Sequence, residues 1–261
     1  MVESHLKNGD AYILDVKIDG SKRADAHIAT ILVKHEEFYE KQDGVITRAW
    51  IKIHYQNLTC KGDEQGLMFC GGYDGSSNFV SLSSTKMTHG YIFVGLNKLE
   101  GYGIGSFFMN EIVKWVKQWP ESNVKPIALT DGLATPDNKE RRNRFYEKFG
   151  LEFEYSSPER ASGYSRVMLA RDLVSFDSPP PNICVIKVEE YLYQMLKTEW
   201  SLKLERMRLV RDQRELFEAQ KHPIRWMFYM IFNNAKRSNI FLIISSVMLL
   251  AVLFWLKISA N

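Results

Sequence analysis

The sequence predicts an α+β fold: a mixed, mostly antiparallel sheet flanked by helices, then a long helix and one transmembrane helix. Three observations lead to this prediction. Apolar and polar residues alternate in several segments of the first third, as strands buried on one face require. In the middle third, strand patterns alternate with helical ones. The last third lacks glycine and proline over residues 184–220 and is uncharged over residues 240–256.

Length and composition are those of an ordinary globular protein. The chain has 261 residues, of which 45% are hydrophobic and 25% are charged, enough for one domain with an appendage. The net charge of +3 is too small to indicate nucleic-acid binding, so no nucleic-acid partner is expected. Cys60, Cys70 and Cys184 lack the spacing of a metal site or a disulfide framework, which favours reduced thiols and predicts no metal.

Most of the first third is predicted to form strands. The predicted strands up to the middle of the chain are residues 11–18, 27–33, 45–55, 66–70, 78–82 and 90–97. Asp19-Gly20 follows the first of them and is a hairpin signal. Only one short helix is predicted here, near residues 36–41.

Residues 99–106, Leu-Glu-Gly-Tyr-Gly-Ile-Gly-Ser, are predicted to turn from a strand into a helix over residues 105–118. Glycines let the backbone turn tightly and approach a ligand closely. The first turn of the helix offers unpaired N–H groups and a positive dipole end, which suit a phosphate. Phe108 occupies the third glycine position of the dinucleotide fingerprint, so that function is excluded. A plain tight connection is the alternative to a phosphate site.

A second motif follows a predicted strand over residues 124–130. A helix predicted over residues 138–149 carries Phe-Tyr-Glu-Lys-Phe-Gly-Leu at residues 145–151 and stops at its glycine. Together the two motifs resemble the signatures of the GNAT superfamily of acetyl-CoA-dependent N-acetyltransferases. That family has Arg/Gln-x-x-Gly-x-Gly/Ala at a strand–helix junction and Phe/Leu-Tyr-Glu-Lys-x-Gly-Phe in a later helix. The resemblance covers residues 88–172, and Glu100 stands where the family has Arg or Gln.

The resemblance implies two central strands that splay apart and hold the pantetheine arm of acetyl-CoA between them. We call residues 99–106 the glycine turn. The resemblance further implies that backbone N–H groups of the glycine turn bind the diphosphate. The predicted cofactor-binding residues are Leu99, Tyr102, Gly103, Ile104, Gly105, Ser106, Asn138 and Arg142. The basic start of the second helix, which includes Arg142, either meets the adenosine phosphates or is a solvated helix face.

Acetyl transfer to an amine needs a proton donor for the leaving thiolate and a base for the amine. The resemblance assigns the donor role to Tyr146; the alternative is an aromatic residue that anchors the helix on the sheet. Asp131, at the end of a central strand, and His89, at the start of another, are the two candidates for the base. For each of them, a structural or exposed residue is the alternative.

The expected domains are an acetyltransferase-like domain over residues 1–172, a proline-rich linker over 173–183, an amphipathic helical region over 184–239 and a transmembrane helix over 240–256. Seventeen residues at ~1.5 Å each span roughly 25 Å, near the minimum for a bilayer. Lys and Arg residues before this segment place its N-terminal side in the cytoplasm. Residues 184–220 can pair two copies of the chain as a homo-oligomer or lie back on the domain.

The sequence therefore predicts a membrane-tethered N-acetyltransferase that moves an acetyl group from acetyl-CoA to a primary amine, with the lipid bilayer as a partner. Two alternatives stay open. One is a GNAT-fold module that senses acyl-CoA or binds a partner without turnover. The other is a membrane-acting effector with a helical tail. The sequence does not identify the amine acceptor.

Overall fold

The computed structural model describes residues 2–18, 27–59, 67–85, 99–133 and 138–237. The chain divides into two compact units, Met1–Leu192 and Tyr193–Asn261. The sheets and the two shorter helices that precede residue 150 belong to the first unit, and it contains every predicted site residue that the structure describes.

The described part of the first unit contains eleven strands and the helices α1 (Ile104–Val116) and α2 (Lys139–Glu147). The strands are β1 Val2–Asn8, β2 Tyr12–Lys17, β3 His27–Gln42, β4 Val45–Asn57, β5 Leu67–Asp74, β6 Phe79–Ser81, β7 Asn123–Val124, β8 Ala128–Leu129, β9 Phe153–Tyr155, β10 Gly163–Ser165 and β11 Ile183–Lys187. The hairpin signal at Asp19-Gly20 and the strand predicted over residues 90–97 lie outside the described residues.

The prediction of a short helix near residues 36–41 is wrong, because these residues form the second half of β3. This half is paired on both sides, with β1 along one edge and β4 along the other. The β3–β4 turn is Asp43-Gly44, and both residues have positive φ values, 51° and 83°. Such a turn joins strands with the twist that a two-residue hairpin requires. Pairing in the sheet thus overrides the weak helical preference of the charged residues.

The main sheet has eight strands, with the order β11-β2-β3-β4-β5-β6-β7 and with β1 paired to β3 off this path. Neighbouring strands are antiparallel except β6 and β7, which are parallel. Alternate residues of β3 and β4 are buried on one face, which we call the inner face. They include Ala29, Ile31, Val33, Ala49, Ile51 and Ile53.

Helix α1 packs across the inner face, and its buried side chains form the core together with those of the sheet. Near its start, the ring of Phe108 lies 5.0 Å from that of Tyr55 and 5.2 Å from that of Phe69. Just beyond its end, the ring of Trp119 stacks on Tyr73 at 4.1 Å. Helix α1 therefore begins beside the first residues of β5 and ends beside the last ones. Since β6 runs antiparallel to β5, the start of α1 lies at the end toward which β6 runs.

The parallel strands β6 and β7 are paired over two residues each. Phe79 and Val80 are opposite Asn123 and Val124, and the Lys125 N–H donates to the Val80 carbonyl at 2.8 Å. A continuous parallel ladder would carry evenly spaced bonds further along both strands. The described ladder ends at this point, so the two chain segments are free to diverge beyond it.

Two local interactions draw the segments apart. The Ser81 hydroxyl accepts the N–H groups of Ser83 and Ser84 at 3.4 and 3.2 Å, which turns the chain at the end of β6. The Ile127 N–H donates to the Ser165 hydroxyl at 2.8 Å, and its carbonyl accepts the Ser165 N–H at 3.0 Å. The segment after β7 therefore continues as β8 in a second sheet, of order β8-β10-β9. We call the space between Ser81 and the segment 125–129 the strand gap.

The sequence predicted a linker over residues 173–183 and a helical region from residue 184. The structure differs, because Ile183–Lys187 is strand β11 and pairs with β2, and the compact unit continues to Leu192. The physical reason is that β2 would otherwise expose unpaired backbone groups along one edge. Ile183, whose side chain is buried, extends the apolar core at the same place.

Two helices follow. Helix α3 spans Val188–Lys221, and helix α4 spans Pro223–Arg237. No residue of α3 is buried, and the apolar side chains at Leu196, Trp200 and Leu202 are all exposed. Self-association through residues 184–220 stays a prediction.

The predicted fold class is wrong in including a transmembrane helix, because no helix in the described part of the chain is both long enough and apolar enough to cross a bilayer. Helix α3 has 34 residues but carries charges along its whole length, and helix α4 has only 15 residues. The segment predicted to span, residues 240–256, lies outside the described residues. The mixed, mostly antiparallel sheet with flanking helices is present.

We expect Gly71→Ala to lower the free energy of unfolding by about 1–3 kcal/mol, the usual cost of overpacking a core. A Cβ atom at this position would lie 2.8 Å from Ile112 Cγ2 and 3.1 Å from the Ser81 carbonyl oxygen, beneath α1. Gly132→Ala is the control, because no atom of the described residues lies within 4 Å of its Cβ position. Urea titration of both variants measures the difference; equal stabilities would contradict this packing of α1.

Candidate functional site

The glycine turn leads directly into α1. Gly101 and Gly103 have φ values of 90° and 79°, and Gly103 is the N-cap of the helix. These left-handed conformations cost a residue with a side chain about 1–2 kcal/mol, which explains the glycines. The Phe107 N–H donates to the Gly103 carbonyl at 2.9 Å and closes the first helical turn.

Several side chains of this turn belong to the core, which leaves its backbone N–H groups as the candidates for ligand contact. Leu99, Ile104 and Gly105 are buried, and the first two contribute to the core. The N–H groups of the first helical residues, Ile104 to Ser106, have no acceptor within the helix, as at the start of any α-helix. Together with the helix dipole they favour an anion at this point.

Glu100 does not obstruct an anion, because its side chain is exposed at the start of the turn. A solvated carboxylate is screened by water and counterions, so its repulsion of a nearby diphosphate is small. The departure from the Arg or Gln of the family signature is therefore compatible with phosphate binding by backbone groups.

The glycine turn and the strand gap lie toward the same end of the first unit. Helix α1 begins at the end of the sheet toward which β6 runs, as its contacts with Tyr55 and Phe69 show. The strand gap opens at that end, beyond Val80 and Lys125. The start of α1 and the end of the described β6–β7 ladder thus lie toward one end of the first unit.

Tyr146 lies on α2 and is 8% exposed. Its ring contacts Phe145 at 5.0 Å and Phe153 at 5.8 Å between ring centroids. Burial raises the pKa of the Tyr146 hydroxyl to about 12, and nearby Arg142 opposes this shift. The phenol is therefore protonated at neutral pH and can donate a proton, but not accept one. The anchoring role that the sequence left as the alternative is present in these contacts.

Arg142 is engaged by the protein itself. Its guanidinium donates to the carbonyls of Thr130 at 3.0 Å and Ala161 at 2.7 Å, and to Asn143 Oδ1 at 3.2 Å. These bonds connect α2 to the end of β8 and to the loop between β9 and β10. Each donor used in this way is unavailable to a phosphate, so Arg142 fixes the position of α2. Its predicted contact with an adenosine phosphate stays a prediction.

The other predicted site residues occupy different places. Asn138 is the N-cap of α2, and its carbonyl accepts the Arg142 N–H at 2.8 Å. Asp131 is exposed in the 3₁₀ turn Asp131–Leu133 directly after β8, next to the Thr130 carbonyl that Arg142 binds. The structure thus brings Asp131, Arg142 and Tyr146 to one edge, whereas His89 lies outside the described residues.

Sequence reasoning missed two residues that touch the glycine turn. Asn182 Nδ2 donates to the Tyr102 carbonyl at 2.8 Å, and the Pro180 ring lies 3.3 Å from the position of a Cβ on Gly103. Both belong to the proline-rich segment that was interpreted as a linker. The run of three prolines indicates stiffness, but nothing in it indicates which surface the segment contacts.

Within the described ranges, no group of three or more His, Cys, Asp or Glu side chains is placed to hold a metal ion. No protein-family model, curated protein or solved structure matches the chain. What defines the site is therefore its geometry: an α+β domain with a glycine turn at the start of a buried helix, beside two diverging strand segments.

We expect Gly103→Ala to destabilise the protein more than Gly101→Ala does. Both variants force a side chain into a left-handed conformation, at about 1–2 kcal/mol each. Only the Gly103 variant places a Cβ against Pro180, because in the part of the chain that the structure describes nothing lies within 4 Å of the Cβ position at Gly101. Urea denaturation measures the free energies of unfolding. If the two variants lose equal stability, Pro180 does not press on the turn.

Proposed function

We propose that the first unit binds acetyl-CoA in the strand gap and transfers the acetyl group to a primary amine. The observation that supports the proposal is that the described pairing of β6 with β7 stops at Val80 and Val124, after which the chain continues as β8 in a second sheet, at the end of the main sheet where α1 begins. In this arrangement the turn N–H groups bind the diphosphate. The resemblance of both motifs to the GNAT signatures supports the same assignment.

The reaction requires few protein groups once both substrates are held in place, since proximity supplies much of the rate. The amine nitrogen attacks the thioester carbon, a C–N bond forms, and the C–S bond breaks. The leaving thiolate takes a proton from the Tyr146 phenol, which is protonated at neutral pH. The amine gives up its proton to Asp131, directly or through water. The tyrosinate is then reprotonated from solvent.

Binding without turnover is the second candidate, and one observation favours it. Tyr146 is only 8% exposed and packs between Phe145 and Phe153, as a purely structural residue would. A domain of this kind would retain acetyl-CoA in the strand gap and respond to acyl-CoA concentration. The two candidates share the binding step and differ in the chemical step.

Calorimetry on the full-length chain tests the shared step. We expect acetyl-CoA to bind with 1:1 stoichiometry and inorganic phosphate to bind far more weakly, since phosphate lacks the arm. An absence of heat with acetyl-CoA, under conditions where the protein unfolds cooperatively, would falsify both candidates.

Tyr146→Phe separates the two candidates. If the protein is an enzyme, the variant should release CoA thiol from acetyl-CoA in the presence of an amine about 10²–10⁴-fold more slowly than the wild type does, because the variant lacks the proton donor. Its affinity for acetyl-CoA should stay the same. Tyr164→Phe removes a hydroxyl from a tyrosine that is 62% exposed, and should leave the rate unchanged. No thiol release by the wild type above the uncatalysed rate would leave binding without turnover as the function, whereas equal catalysed release by all three proteins would exclude Tyr146 as the proton donor.

We also propose that the second unit associates with an anionic lipid surface through α4. Exposed apolar side chains occur at Ile224, Phe228 and Tyr229, and Lys221 and Arg225 lie beside them. Aromatic residues next to basic ones suit the headgroup region of a bilayer.

Flotation with vesicles tests this association. The full-length chain should float with vesicles that contain phosphatidylserine, and Phe228→Glu should reduce the floated fraction because it places a charge among the apolar residues. Phe217→Glu in α3 is the matched control, since Phe217 is also exposed. Equal flotation of both variants would exclude α4 as the lipid-binding element.

A further inference from the structure

The segment that precedes β11 is hydrogen-bonded to α1 and to the residues just beyond α2. We call residues 173–182 the strap. At its start, the Val174 N–H donates to the Phe149 carbonyl at 3.0 Å, just beyond α2. In its middle, the Asn110 side chain on α1 exchanges two hydrogen bonds of 2.8 Å with the backbone of Phe176. Asn110 is buried, so these bonds are shielded from water.

The end of the strap is held equally firmly. The Ile183 N–H donates to the Pro180 carbonyl at 2.9 Å, and the Lys17 N–H at the end of β2 donates to the Asn182 carbonyl at 2.9 Å. These bonds fix the backbone of Asn182 to the sheet edge. Its side chain is then directed at the glycine turn, where Nδ2 donates to the Tyr102 carbonyl at 2.8 Å.

This hydrogen bond fixes the direction of one amide of the turn. The peptide group that joins Tyr102 to Gly103 is planar and trans, so its C=O and its N–H point in opposite directions. Because Asn182 holds the carbonyl toward the strap, the Gly103 N–H points away from it. Pro180 packs against Gly103 and resists rotation of the same peptide group.

We infer that Asn182 is a positioning residue that aims the Gly103 N–H at the diphosphate of the bound acyl-CoA. This inference rests on the proposed function, since it assigns the strap a role in the same site. The structure supplies the reason for a fixed amide: Gly101 and Gly103 are conformationally permissive, and without an external hydrogen bond the peptide between Tyr102 and Gly103 can rotate. A turn that is ordered before binding loses less entropy when the ligand arrives.

The experiment compares two ligands on the full-length chain. Acetyl-CoA carries the diphosphate, and acetyl-pantetheine has the same arm and thioester without it. Asn182→Asp keeps the shape of the side chain but replaces the NH₂ donor by a carboxylate oxygen, which repels the Tyr102 carbonyl. We expect the calorimetric affinity for acetyl-CoA to fall about tenfold, since the bond from an N–H to a charged acceptor is misaligned. The affinity for acetyl-pantetheine should not change.

Two further variants complete the design. Asn182→Ala removes the donor without adding charge and should show the same selective loss, so the result does not depend on the stability of the Asp variant. Asn8→Asp makes the same chemical change at an exposed residue of β1 and should bind both ligands as the wild type does.

The outcomes separate the inference from the proposed function. If the wild type binds neither ligand, the proposed function fails and the inference fails with it. If the wild type binds but the Asn182 variants keep their affinity for acetyl-CoA, only the inference is overturned. An equal loss for both ligands, together with a lower melting temperature, would also overturn it, because it would assign Asn182 a purely structural role.

Discussion

The short parallel pairing of β6 with β7 is the constraint on which the rest of the first unit depends. Every buried backbone group needs a partner, so a strand that leaves one neighbour must acquire another. The segment after Val124 does this between Lys125, which still donates to Val80, and Ile127, which already bonds to Ser165. The chain thus passes from the main sheet to the second sheet at the strand gap, where the described β6–β7 ladder ends.

Helix α1 places the glycine turn toward the same end of the first unit as the strand gap. Its aromatic contacts with Tyr55, Phe69 and Tyr73 set its position along the sheet, and its first residues are thereby placed toward the end where the strands separate. The strap then restrains the glycine turn through Asn182 and the helix through Asn110. The segment that the composition presents as a spacer is thus part of the same packed unit.

In α2, two side chains that are candidates for a chemical role also have a structural role. Arg142 and Tyr146 have the residue types expected for phosphate contact and proton donation. The structure uses Arg142 to bind two carbonyl groups and buries Tyr146 among aromatic rings. The buried phenol keeps its proton at neutral pH, and its raised pKa makes it a weaker acid than a solvated tyrosine. Arg142 uses most of its donors to fix α2. The roles of both residues toward a bound ligand stay predictions.

The sequence by itself determined the local elements whose signals are local. The residue pattern predicted most of β2 to β6, the glycines predicted the turn before α1, and the apolar spacing predicted that helix nearly to its ends. The sequence did not predict β1 or β11, which pair with β3 and β2. The tertiary structure alone decided the rest. Residues 36–41 form a strand because β1 and β4 pair with them, and Asn182 reaches the glycine turn only because β11 pairs with β2. Partner choice between distant segments depends on which backbone and side-chain groups remain unsatisfied after folding, and no short stretch of sequence carries that information.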